Sequence, residues 1–331
     1  MAVVGAGVTG SRVALTLSTT EDAPRLAIVD RRRDVAESVA TSVDGVVVDL
    51  DHAFAADVAV LACPAPHAHL ARALVRAGVS VVSMSDDLDD VRALLSAADD
   101  GGVTDATLVV GAAMAPGLSG LLARHLADQL AVVDEIHVAM HGTGGPSCAR
   151  QHHRALGGTS VGMHDGAWIK RPGGAGRELC WFPEPVNAYD CYRAEMPEPI
   201  LLHRVFPDVM RMSARISATR RDRFTSRLPM LSPPHREGGV GAVRVDVRGA
   251  QPGGERETLI AGTAVRSGVA AAIVAATMTS WVLGPRRIAG AMILGDPRLP
   301  TAELLEQIHL AGVPLFEFTG VSRLPASGLV P

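Results

Sequence analysis

Through the first 118 residues, short apolar runs recur at regular intervals between longer amphipathic segments. That alternation narrows the fold more than any other feature of the chain. The runs are Ala2–Val4, Leu26–Val29, Gly45–Val48, Val58–Ala62, Val79–Ser83 and Thr107–Val110. Between them, LARALVRAG (70–78) and DDLDDVRALLSAAD (86–99) place apolar residues at helical spacing. Strands alternating with helices of this length imply βαβ units, and βαβ units build a parallel sheet with helices on both faces. The expected class is α/β, with a Rossmann-type doubly wound parallel sheet.

The turn after the first run sharpens this. Gly5, Gly7 and Gly10 lie in MAVVGAGVTG, directly after an apolar strand and opening a helix through Val8 and Thr9. In that context each glycine has a task. Gly5 permits the tight turn, Gly7 lets backbone approach a pyrophosphate, and Gly10 lets helix and strand pack closely. The helix N-terminus then faces the phosphates. Twenty residues past Gly10 the second strand ends at Asp30, where a carboxylate accepts both ribose hydroxyls of NAD. Arg31 follows at once, and a guanidinium there pairs the 2′-phosphate of NADP. Both cofactors stay open, with NAD favoured by the carboxylate. Ligands of such sheets bind beyond the carboxyl ends of the strands. Asp49, Cys63, Pro64, His67 and Ser85 are therefore further candidates, although His67 reads equally well as an ordinary helix start.

The pattern changes after Pro116-Gly117. VDEIHVAMHG (133–142) alternates Ile136, Val138 and Met140 against Glu135, His137 and His141; GAVRVDVRGA (241–250) alternates Val243, Val245 and Val247 against Arg244, Asp246 and Arg248. Strands with one buried face imply a second, α+β domain whose sheet is mostly antiparallel. Gly- and Pro-rich stretches at 142–146, 171–176, 183–199 and 229–240 read as its loops. Near the end, Thr301 is placed to cap a helix through Ala311, with GVPLFEF as a last strand.

Composition excludes several classes. With 47% hydrophobic and 20% charged residues the chain reads as a soluble globular protein, and a net charge of −4 points to neither nucleic acid nor an anionic membrane. GVAAAIVAATMTSWVLG (268–284) is Ala-rich and short for a membrane span, so it reads as a buried helix. Cys63, Cys148, Cys180 and Cys191 form no disulfide framework, so a reducing cytoplasm is expected. No basic flank and apolar core mark a secretory signal. The first strand begins at Met1 with nothing to spare, so a start slightly upstream is also expected.

Hydride transfer to or from a bound nicotinamide requires a group that manages a proton, and a carboxylate on the substrate requires an anchoring cation. Residues 141–193 hold the candidates. His152 and His153 are potential acid/base groups, of which adjacency lets one face a cleft. Lys170 is the one lysine among 31 basic residues, a titratable amine where every other position is Arg. Arg150 and Arg154 share a face if the segment is helical and clamp a carboxylate there, or else sit on a solvated face. Glu184, in the aromatic-rich WFPEPVNAYDCY, is a weaker substrate contact. His137 and His141 share a strand face near Cys148, but their spacing fits no closed zinc pattern, and no metal is expected. The arginines at 204, 211, 215, 220, 221, 223 and 227 read first as a solvated or dimer-facing surface and second as a carboxylate site.

The order of GAGVTG, VVDLD, ADVAVLACPAPHAHLARALVRAGVSVVS, GAAMAPGLSGLLARHLA, AGTAVRSGVAAAIVAATMTSWVL and GAMILGDPRLPTAELLEQIHLAGVPLFEF resembles the saccharopine dehydrogenase (reductase)-like family. The resemblance touches both ends and roughly half of the chain. It implies a G-x-x-x-x-PG turn at Gly111 to Gly117, with Pro116 beside the cofactor. It also implies an NAD(P)-binding domain over 1–118 completed by about 288–331, and a substrate and dimerisation domain over 119–287. The implied activity is NAD(P)-dependent oxidation or reduction at a C–N bond of a carboxylate-bearing, amino-acid-like small molecule, by a homodimer. Sugar dehydrogenases of the glucose-fructose oxidoreductase type share the cofactor-domain logic, but their E-K-P turn is replaced here by Ser83-Met84-Ser85-Asp86-Asp87. A non-catalytic NAD(P)-binding sensor or assembly protein is the alternative from another class.

Overall fold

A computed structural model describes residues 1–20, 23–100, 105–230 and 233–318. The chain divides into two compact units, 1–113 with 268–294, and 114–267 with the segment from 295 onward.

In the first unit the apolar runs become β1 (Ala2–Val4), β2 (Ala27–Val29), β3 (Val46–Val47), β4 (Val58–Leu61), β5 (Ser80–Ser83) and β6 (Thr107–Val110). The connecting helices are α1 (Val8–Ser18), α2 (Arg33–Ser42), α3 (Ala68–Arg76) and α4 (Leu88–Asp99), with a 3₁₀ turn at Leu50–Ala55. A later return adds α9 (Ser267–Leu283) and β15 (Gly290–Ile293). The described strands form one sheet in the order β15-β6-β5-β4-β1-β2-β3, and every pairing is parallel. β4, β5 and β6 are buried at every position because helices cover both faces. The strand order reverses between β1 and β4, the switch point at which such sheets bind ligands. Among the described residues, no helix is long and apolar enough to cross a membrane. α9 is instead a mostly buried core helix.

The second unit holds α5 (Leu118–Ala127), β7 (Val132–His141), α6 (Pro146–Gly157), β8 (Thr159–His164), β9 (Ala167–Pro172), β10 (Glu178–Trp181), β11 (Ala188–Arg193), α7 (Glu198–Val205), β12 (Arg211–Ser217), α8 (Arg220–Thr225), β13 (Val240–Ala250), β14 (Arg256–Arg266), α10 (Thr301–Leu310) and β16 (Phe316–Phe318). Its sheet runs β10-β11-β12-β7-β13-β14-β16, with the β8–β9 hairpin joined through β12. Only β7–β12 is parallel among these described pairings. Ile136, Val138, Met140, Met212, Ala214, Ile216, Val243, Val245 and Val247 are buried on one face, the alternation expected from the sequence.

Three local expectations change. The 183–199 stretch is loop only in part: β11 occupies Ala188–Arg193 within it, and Phe182 and Tyr192 are buried while Trp181 and Tyr189 are exposed. Thr301 does not cap α10. Pro300 holds the N-cap position, and Thr301 begins the helix with its amide bonded to Leu299 O at 2.8 Å. The C-terminal segment also divides between the units. β15 joins the parallel sheet, whereas β16 pairs with β14, with Phe318 opposite Ile260.

Candidate functional site

The glycine turn of the first unit is assembled by close backbone contact. Gly5 has φ +102°, and its N–H donates to Val29 O at 2.7 Å. A Cβ on Gly5 would overlap Cys63 N, and a Cβ on Gly10 would overlap Gly5 O. Packing therefore demands both residues. Gly7 differs: its φ of −69° suits any residue, and a Cβ there would meet nothing within 4 Å. Among the described residues, nothing calls for glycine at 7. The space over it lies at the N-terminus of α1, which no side chain caps.

Asp30 is tied into this turn. Its Oδ2 accepts the Ala6 N–H at 2.7 Å and its Oδ1 accepts the Arg32 N–H at 2.9 Å. The carboxylate expected to meet ribose thus also locks the loop that would meet the pyrophosphate. Val8 and Thr9 are half-buried in the first turn of α1, and Arg31 is exposed. Asp49 is an exposed N-cap of the 3₁₀ turn whose carbonyl accepts the His52 N–H.

Beyond β4 lies a buried polar network. Cys63 is half-buried, with its thiol pKa raised by burial, and Pro64 is exposed. His67 is buried, with Nε2 2.8 Å from Cys63 O and Nδ1 2.9 Å from Ser83 Oγ. A carbonyl only accepts, so Nε2 carries the proton and Nδ1 accepts from the Ser83 hydroxyl. Burial lowers the His67 pKa and keeps the ring neutral. Asp90 Oδ1 accepts the N–H groups of His67 and Ala68 at 2.8 and 2.9 Å. Ser85 is buried with its N–H on Ser83 Oγ. His67 is thus a strut that fixes the Cys63-Pro64 turn, with both ring nitrogens engaged inside the fold. Gly5, Gly10, Asp30 and Cys63 come together at the carboxyl ends of β1, β2 and β4. Pro116 is buried ahead of α5, within the second unit.

The candidates of the second unit are spread over three elements. α6 carries Arg150, His152, His153 and Arg154. Arg154 Nε donates to Arg150 O at 3.4 Å, and both side chains are exposed on a shared face. His152 Nε2 lies 3.6 Å from Cys148 Sγ, and His153 Nε2 lies 2.8 Å from Leu228 O. Lys170 is exposed on β9 opposite Val161, and Glu184 is exposed after β10. No hydrogen bond or ion pair among the described residues joins Lys170 or Glu184 to α6.

The polar face of the second sheet proves richer than the sequence reading. Burial alone would raise the Glu135 carboxyl, but His137, Arg248 and Arg211 hold it below its ordinary value. Their distances to it are 3.1, 3.2 and 3.1 Å. His137 and His141 each place Nδ1 2.8 Å from a β12 serine, Ser213 and Ser217. Arg211 and Arg215 leave the arginine run to line a concavity of about 280 Å³ together with Arg171 and Arg193. Arg193 was not singled out in the sequence. The Asp165-Gly166 turn between alternating segments was the available signal for the hairpin that forms one wall.

These features define a two-unit α/β protein with a dinucleotide-type parallel sheet in one unit and a mixed sheet in the other. No protein-family model and no curated protein sequence matches the chain. Solved structures do. The chain is similar to the apo saccharopine dehydrogenase (L-Glu forming) of Saccharomyces cerevisiae, with 14% identity, TM-score 0.71, and 97% of this chain and 99% of that one covered. It is also similar to an amine dehydrogenase from Mycobacterium smegmatis, with 14% identity, TM-score 0.51, and 90% and 95% covered. At this identity the likeness is one of fold: the chain has the saccharopine dehydrogenase fold.

Proposed function

We propose that this chain is an NAD(P)-dependent oxidoreductase acting at a C–N bond of an amino-acid-like, carboxylate-bearing metabolite, by imine reduction or amine oxidation. The observation that carries the reading is Gly7. Gly5 and Gly10 answer to packing, whereas Gly7 answers to nothing inside the fold and opens onto the uncapped start of α1. A pyrophosphate supplies the missing reason, since any side chain at 7 would occupy its place. The named activities of the two similar structures support the C–N assignment, as does the lysine-free SMSDD turn where sugar dehydrogenases of similar design carry one.

The residues present fit such a cofactor. The N–H groups opening α1 would hold the pyrophosphate. Asp30, anchored by Ala6 and Arg32, presents a fixed negative charge that favours ribose hydroxyls over a 2′-phosphate and so favours NAD over NADP. When bound, the nicotinamide supplies or accepts the hydride. Proton management falls to the α6 and β9 candidates. His152 leads them, because its ring meets a second protonatable group, the Cys148 thiol. Arg150 and Arg154 are proposed to meet the substrate carboxylate.

Titration of the protein with NADH and NADPH, followed by a turnover screen of oxo acids with amines, tests this. Enhanced NADH fluorescence and cofactor oxidation dependent on both partners are expected. Absence of binding by either cofactor refutes the reading; turnover on polyols instead moves the reaction to the sugar class.

A further inference from the structure

The second sheet forks at β12. Met212 pairs with Met163 of β8, but Arg215, Ile216 and Ser217 pair with β11. The β8–β9 and β10–β11 hairpins therefore leave the same edge of β12 at successive positions, and the 280 Å³ concavity lies between them. Three guanidiniums line it from three strands: Arg171 of β9, Arg193 at the end of β11 and Arg215 of β12. Glu178 of β10 is the carboxylate beside them, and it is committed to Arg215 Nε at 2.7 Å. Among the described residues neither Arg171 nor Arg193 has an ion-pair partner, and the buried Arg215 Nη1 has no hydrogen-bond partner. Three cations against one carboxylate leave an excess of two positive charges.

Such crowding is unfavourable unless an anion shares the site. Burial, then the Arg215 and Arg171 charges, lower the Arg193 pKa. The backbone keeps room for this guanidinium. Gly176 has φ +63°, and a Cβ on it would overlap Arg193 Nη1. At the other end of the concavity two carboxylates, Glu135 and Asp165, already balance Arg211 and Arg248, so only one end calls for an anion. Ile169 and Met163 form apolar wall between the two ends.

We propose that this fork is a binding site for a small organic carboxylate, its carboxylate held by Arg171, Arg193 and Arg215 and its short apolar stem lying along Ile169. The site lies within the second unit and stands independently of the oxidoreductase reading. The same chemistry serves a substrate or a separate effector.

Isothermal titration of the full-length protein without cofactor, using butyrate and glutarate as probes, tests the proposal. Phosphate and the neutral butyramide are the controls. Binding of a carboxylate with Kd at or below about 1 mM is expected, with butyramide at least about tenfold weaker. Arg193→Gln is expected to weaken the carboxylate about tenfold or more, and Arg193→Lys to recover part of the loss. The wild-type measurement stands even if a variant folds poorly, and Gly176→Ala displaces the same guanidinium without deleting it. The proposal is overturned if no carboxylate binds below about 10 mM, if butyramide or phosphate alone binds, or if Arg193→Gln leaves affinity unchanged. Repeating the titration under NADH turnover separates the sources: competition with turnover marks substrate, binding without competition marks an effector.

Discussion

The glycine turn of the first unit and the arginine fork of the second are both candidate ligand sites, built from opposite materials. The turn is made of backbone. Its members lie within a few residues of one another, apart from Asp30 and Cys63, and its shape follows from the absence of side chains. The fork is made of long charged side chains from residues 171, 178, 193 and 215, brought together because β12 changes partner midway. A backbone site announces itself locally; a side-chain site exists only once the sheet is formed.

Of the two sites, the backbone turn is the more sensitive to a single methyl, and Gly10 is where it is most sensitive. Gly10→Ala drives a Cβ into Gly5 O, so we expect a loss of about 3 kcal/mol in a urea titration. An unchanged midpoint would show that the turn is looser than its geometry. Gly7→Val should do the reverse: stability within about 0.5 kcal/mol of wild type, with NADH affinity reduced about a hundredfold or more by fluorescence titration. Retained NADH binding in that variant would remove the reason given for Gly7.

Asp30→Ala ranks next. It deletes the ribose acceptor and the clamp on Ala6 together, so NAD should weaken about tenfold and NADP distinctly less. Equal losses for both cofactors would mean that Asp30 acts only as a loop anchor. The smallest effect concerns His67. Burial depresses its folded-state pKa below the ordinary value of about 6.5, so the unfolded chain takes up a proton that the folded chain refuses. Stability from this group is complete above that value and is lost as pH falls through it. Wild-type melting temperature should therefore drop between about pH 7 and pH 5 more steeply than that of His67→Gln. Parallel slopes would falsify the buried-neutral assignment.

Much of the first unit was legible because parallel strands buried on both faces write themselves as uninterrupted apolar runs; β1 and β6 fall where the sequence places them. The β8–β9 hairpin was harder. β9 is exposed at nearly every position, so its sequence lacks a buried alternation. His67 shows the same limit within the first unit. Its position after β4 suggests a ligand contact, yet its partners Ser83 and Asp90 arrive from elements sixteen and twenty-three residues away.

Local sequence was enough for the doubly wound sheet, the glycine turn at its first strand and the buried face that β7 and β13 build from Ile136, Val138, Met140, Val243, Val245 and Val247. These depend on local periodicity and on glycine's missing Cβ, properties each residue carries alone. It took the folded chain to show that Gly7 alone of the three glycines faces open space, that Asp30 clamps the loop, that His67 is a strut, and that the arginine run splits to feed a fork. Those outcomes depend on which distant side chains share a few ångströms, and no periodicity records that.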